Sequence, residues 1–173
     1  LHRVKGIDCL LKAFARVHPE FPEYSLVVGG EGPERGRLEK DARMFQLARH
    51  VRFRPWCDRS ELLTEFATCS VYVLPSLAES FGIVVLEAMA SGKPVIASNI
   101  AGPRSIIRHN VDGLLFEPGN VTELAECLRR LLADANLRSR MGAQGRQRVA
   151  KRYDIRLACE AMERALTGVV SGT

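Results

Sequence analysis

Long hydrophobic runs are missing from this chain of 173 residues. None approaches the roughly 18 apolar residues of a membrane-spanning helix, so no span is expected. Leu1-His2-Arg3-Val4-Lys5 has no apolar stretch of the kind that makes a secretory leader. Cysteine is scarce and unpatterned: Cys9, Cys57, Cys69, Cys127 and Cys159 are an odd five with no C-x-x-C pair. That spacing excludes a zinc ribbon and a disulfide framework, and suits reduced thiols in the cytoplasm. His2, His18, His50 and His109 are not paired with one another or with cysteine at metal-ligand spacing, so no metal site is expected. Aromatic residues make up only 6%, with Trp56 the single tryptophan. They are not interleaved with Lys and Arg, which argues against a nucleic-acid partner.

What is present is the balance of a globular domain, 46% hydrophobic and 26% charged. The length suits one domain, able to bury about 70% of its unfolded-chain surface. The net charge of +5 is local: Arg129 to Arg156 holds nine Lys/Arg against two Asp/Glu, so the remainder of the chain is slightly acidic. The simplest expectation for that tract is a solvated helical face. Contact with an anionic surface at the cytoplasmic (inner) side of a membrane is the alternative.

Helical and strand patterns alternate along the chain. Apolar positions spaced for one helix face predict helices over 5–18, 34–45, 60–67 and 81–90, and a short helical turn at 105–108. Short apolar runs at 24–28, 51–53, 71–74, 94–97 and 113–116 read as strands, several closed by Gly or Pro. Helices alone follow, over 121–133, 136–149 and 155–166. Alternation of this kind predicts an α/β fold: a Rossmann-like, doubly wound parallel sheet flanked by helices, in a single domain spanning 1–173. Ligands of such sheets bind beyond the carboxyl ends of the strands. The loops of interest are therefore 29–33, 54–57, 75–82, 98–104 and 117–119. Trp56, in one of them, could line a base pocket or cap the core.

The segment from Pro75 to Ala90 carries the chemistry. A strand stops at Pro75, a polar loop brings Glu79, and Ser80 can cap the helix that follows. Backbone N–H groups of Phe81, Gly82 and Ile83 would then point out of the helix end, an arrangement that binds phosphate. Glu87 lies two turns into an otherwise apolar helix, where a carboxylate is costly unless donors such as sugar or ribose hydroxyls meet it. A generic helix end with a self-satisfied glutamate is the competing structural explanation.

Glu79 and Glu87, an E-x7-E pair, sit in a block that resembles the donor-binding motif of retaining glycosyltransferases of family 4. Further stretches resemble that family in the same order: Lys5-Gly6-Ile7-Asp8, Val27 through Glu34, Val51-Arg52-Phe53, Gly92 through Ala97 and Asp112 through Gly119. The likeness covers almost the whole chain, as the C-terminal half of a GT-B fold. It implies a nucleoside-diphosphate sugar as substrate, UDP- or GDP-linked, with no cofactor and no metal. It implies retention of configuration at the transferred sugar and a glycan, lipid-linked or small-molecule acceptor. By the same likeness Lys5 and Glu79 would be catalytic, Lys5 neutralising the leaving diphosphate and Glu79 bonding the donor sugar. Ser80, Phe81, Gly82 and Ile83 would meet the diphosphate and sugar, and Glu87 the ribose. Gly29, Gly30 and Gly32 would keep the adjoining loop thin, and the backbone at Phe53 and Arg54 would meet the base.

The sequence departs from the family in four places. The family's diphosphate-binding arginine and the strand before it would precede Leu1, with Arg3 the nearest substitute. Pro55 replaces a common glycine, and Ser105 a common acidic residue. The acceptor-binding N-terminal domain has no counterpart in this sequence, so the chain is expected to bind donor and not to transfer sugar efficiently alone. The helix over 155–166 resembles the family's crossover helix, whose apolar positions could support self-association. A GT-B-like nucleotide-sugar epimerase and a non-catalytic nucleotide-binding scaffold remain as alternatives.

Overall fold

The computed structural model describes residues 1–55 and 58–153. Trp56, Cys57 and the expected crossover helix lie outside the described residues. A 3-10 turn, Arg3–Lys5, leads into α1 (Ile7–Val17), and a second, His18–Glu20, follows it. Then come β1 (Leu26–Gly29), α2 (Arg35–Met44), β2 (Val51–Arg54), α3 (Arg59–Thr68), β3 (Tyr72–Leu74) and α4 (Ile83–Ala90). The chain continues through β4 (Val95–Ser98), α5 (Ala101–Ile106), β5 (Leu114–Phe116), α6 (Val121–Ala133) and α7 (Ala135–Arg152).

All strand pairings are parallel: β1 with β2, and β3–β4–β5 as a separate group with β4 in the middle. Every residue of β4 is buried, as expected of a strand with neighbours on both edges and helices on both faces. Its side chains alternate between two cores. Ile96, with Leu114 and Phe116, faces α1 and α6; Val95 and Ala97, with Leu115, face α4 and α5. This is the expected doubly wound α/β architecture.

The two strand groups are not hydrogen-bonded to each other. Leu26 N–H bonds His50 O at 2.8 Å and Gly30 N–H bonds Arg54 O at 3.1 Å, so alternate residues Val27 and Gly29 turn their backbone groups away from β2. On β3, Tyr72 N–H bonds Pro94 O, so Val73 likewise turns away from β4. These groups meet no strand among the described residues. Helix α1 spans the division instead. Its Cys9, Leu10, Ala13 and Val17 join the core of β4, β5 and α6, while Leu11 and Phe14 join Val28, Leu38 and Val51.

Three expectations need correction. The helix predicted over 5–18 begins at Ile7, because Gly6 takes a left-handed conformation (φ 63°) that separates Lys5 from it. The turn predicted at 105–108 is α5, four residues earlier. The sequence Ala101-Gly102-Pro103 reads as a loop, yet Pro103 sits in a first helical turn, where its missing N–H costs nothing. Third, His18 and His50 do meet, with ring centroids 4.0 Å apart. The basic tract is also less uniform than a solvated face. Arg138 donates to the carbonyls of Leu131 and Leu132 at the end of α6, and Arg148 donates to Ile106 O at 2.6 Å. Among the described residues no helix is long and apolar enough to cross a membrane.

Candidate functional site

The loop from Pro75 to Gly82 leaves the carboxyl end of β3 and is held from three directions. Gly6 passes directly over Pro75: a Cβ on Gly6 would lie 2.0 Å from Pro75 O. Leu77 N–H bonds Val4 O at 2.7 Å, tying the loop to the 3-10 turn. From the other side α5 props the loop through Gly102, whose added Cβ would stand 2.7 Å from Glu79 O and 2.8 Å from Phe81 O. The ring of Tyr153 stands edge-on to Phe81 at 6.4 Å, and its hydroxyl bonds Ser105 O at 3.3 Å.

Those constraints bring Lys5 and Glu79 together. Lys5 Nζ lies 3.0 Å from Glu79 Oε2, with 47% of the lysine side chain and 22% of the glutamate side chain exposed. An ion pair this exposed contributes at most about 1 kcal/mol, so an arriving anion can take over the lysine.

Ser80 does not cap the helix that follows. Gly82 does, at φ 93°, and α4 begins at Ile83 with no side-chain cap. The glycine conformation turns the chain into the helix two residues later than a serine cap would have placed it. Val85 N–H bonds Gly82 O at 2.8 Å, while the amides of Gly82, Ile83 and Val84 meet no acceptor among the described residues. Phe81 and Ile83 are exposed. Glu87 is half-buried, and its carboxylate has no hydrogen bond or ion pair among the described residues. Burial first, then the charges of Glu79 and Glu87, push the Tyr72 phenol well above its usual range.

The glycine loop forms a second, adjoining group. Gly30 and Gly32 have φ of 112° and 149°. A Cβ on Gly32 would lie 2.0 Å from Leu1 N, and Glu34 N–H bonds Leu1 O at 3.1 Å. Gly29 ends β1 with open space at its Cβ position. The carbonyls at the end of β2 already have donors: Arg35 Nη2 bonds Phe53 O at 3.3 Å, and Gly30 bonds Arg54 O. The Arg54 side chain is held by Glu65. Residues 1–6 therefore run between the glycine loop and the Glu79 loop, and connect the two groups. Arg3, on this segment, is exposed and has no ion pair among the described residues.

Sequence reasoning missed Gly102, whose only signal was an Ala-Gly-Pro read as a loop. It also missed the hydroxyls of Ser76, just beyond β3, and Ser98, at the end of β4, both buried with no hydrogen-bond partner among the described residues. Among the described residues no three His, Cys, Asp or Glu gather as metal ligands would.

The layered fold, with its polar loops beyond the strand ends, is that of one Rossmann-like half of a GT-B glycosyltransferase. Residues 1–148 match the model of the family Glycosyl transferases group 1, and the chain belongs to that family. It is 38% identical over 149 residues to a D-inositol 3-phosphate glycosyltransferase of Streptomyces bingchenggensis, covering 81% of this chain and 33% of that protein. It superposes on the C-terminal domain of a group 1 glycosyl transferase (LpcC) from Francisella tularensis with a TM-score of 0.83 and 28% identity, over 90% of this chain and 83% of that one. Anabaena Alr3699/HepE, solved in complex with UDP-glucose, gives a TM-score of 0.87 at 25% identity over 97% of this chain and 46% of its own. The chain thus spans well under two thirds of the length of the curated relatives it matches.

Proposed function

We propose that this chain is the donor-binding half of a retaining, family 4 glycosyltransferase that takes a UDP- or GDP-sugar. The observation that carries the reading is the Lys5–Glu79 pair, 3.0 Å apart, set beside the uncapped end of α4. In this reading the diphosphate lies against the amides of Gly82, Ile83 and Val84. Lys5 leaves Glu79 to neutralise the charge that grows on the departing diphosphate. Glu79, released from Lys5, accepts hydrogen bonds from hydroxyls of the donor sugar. Glu87 accepts from the ribose hydroxyls, which would satisfy a carboxylate that otherwise has no partner. Gly29, open at its Cβ position, leaves room for the nucleotide, while Gly30 and Gly32 let the loop close over Leu1; the base lies beyond Phe53 and Arg54. Lys5 supplies the positive charge that other folds draw from a divalent cation, so no resident metal is needed. Binding of UDP-glucose by a neighbour that superposes over 97% of this chain supports the donor class. Transfer to an acceptor requires the other half of the GT-B groove.

Calorimetry with UDP and UDP-glucose tests the roles. Glu87→Ala should weaken both ligands by about 1–3 kcal/mol through lost ribose hydrogen bonds. Glu79→Ala should weaken UDP-glucose and leave UDP nearly unchanged. Equal losses on both ligands from Glu79→Ala would contradict its assignment to the sugar.

A further inference from the structure

An open cavity of about 420 Å³ lies on the flank of the molecule, between the second half of α7 and the turn before β5. Arg108, Gln144, Gln147, Arg148, Lys151 and Arg152 line it, and none of them belongs to the donor site. Among the described residues the only carboxylate paired with these four cations is Asp112, which is fully buried and meets two of them, Arg108 and Arg148. Asp112 orients those two arginines. Its Oδ1 accepts Arg108 N–H at 2.7 Å, and its Oδ2 lies 2.6 Å from Arg108 Nε and 3.8 Å from Arg148 Nε. Arg148, with only 13% of its side chain exposed, is further anchored by Nε donating to Ile106 O.

Both guanidiniums are therefore held by Nε alone. Their Nη groups have no acceptor among the described residues, and neither do Lys151 and Arg152. A pre-oriented planar fork with unused N–H groups matches the oxygens of a phosphate, which accept two parallel bonds. Bringing four cations together is self-repulsive unless an anion joins them.

We propose that this flank cavity binds a phosphate-bearing anion: the phosphate is gripped by Arg108 and Arg148 and further neutralised by Lys151 and Arg152. The phosphate comes either from a soluble phosphorylated molecule or from a lipid headgroup, and the two are separable.

The test titrates the full chain, its donor site saturated with UDP, with inorganic pyrophosphate, and in parallel sediments it with vesicles of phosphatidylcholine containing phosphatidylglycerol. The double variant Lys151→Gln/Arg152→Gln is compared with the original. These residues are exposed and unpartnered, so the variant should keep its thermal midpoint and its UDP-glucose affinity. A tenfold or greater loss of pyrophosphate affinity, with little sedimentation of either protein, supports the site with a soluble ligand. Sedimentation lost in the variant and reversed by pyrophosphate supports it with a lipid headgroup. Pyrophosphate affinity and sedimentation that are both unchanged by the variant, or both absent from the original, overturn it. Should the double variant fail to fold, Gln147→Glu, at an exposed position, must produce the same losses.

Discussion

Gly102 decides how close α5 comes to the loop that carries Glu79. A methyl group there would press on the carbonyls of both Glu79 and Phe81. Gly102→Ala should cost about 1–3 kcal/mol in stability, as overpacking does. It should also weaken UDP-glucose binding without touching any ligand-facing side chain. Calorimetry at a temperature well below the variant's midpoint separates the two effects; unchanged UDP-glucose affinity would show that the loop tolerates the displacement. At the same scale, His18 links stability to pH. Burial first, and then the neighbouring His50, hold its imidazole below the usual value. Its Nε2 is buried with no hydrogen-bond partner among the described residues. As pH falls the unfolded chain therefore takes up the proton before the folded one. The contribution of His18 is complete above about pH 6.5 and is lost as pH falls through the lower folded-state value. The thermal midpoint should drop between about pH 7 and pH 5, and His18→Asn should flatten that drop.

At the scale of elements, α1 joins the two strand groups, and Leu11 is its fully buried contact with the β1–β2 side. Leu11→Ala should cost about 2–5 kcal/mol by chemical denaturation, more than a comparable truncation on a peripheral helix. A cost under about 1 kcal/mol would mean the site collapses around the cavity. Much of the element pattern was legible because it rests on periodicity: α6 runs over the predicted residues, and β4 reads as one apolar run. The misreadings fall where local rules compete. Ser80 satisfies the composition of a helix cap, yet Gly82 reaches a backbone conformation serine avoids, and so moves the start of α4. Asp58 and Glu61 form a reciprocal cap at the start of α3, a spacing that was present in the sequence and passed unread. In α5, the Gly-Pro pair looks like a turn until its packing against the Glu79 loop is seen.

Across the whole molecule, the site is made by long-range approaches that no local pattern encodes. Lys5 and Glu79 are 74 residues apart, and they meet because Gly6 crosses Pro75 and Val4 bonds Leu77. The E-x7-E spacing singles out residues 79–87, but the sequence could not show that Lys5 rests on Glu79. Nor could it show that Arg138 and Arg148 of the basic tract donate to carbonyls, or that Arg148 and Arg152 line a separate cavity. In the proposed function, residues 1–6, the glycine loop and the start of α4 together receive a nucleoside diphosphate without a metal. The most direct test is isothermal titration with UDP, GDP and ADP, each in Mg²⁺ and again in EDTA. At least one of the three should bind below millimolar concentration, with the same affinity in both buffers, and Lys5→Ala should weaken it. No binding of any of the three at millimolar concentration, or binding abolished by EDTA, would contradict the proposed function.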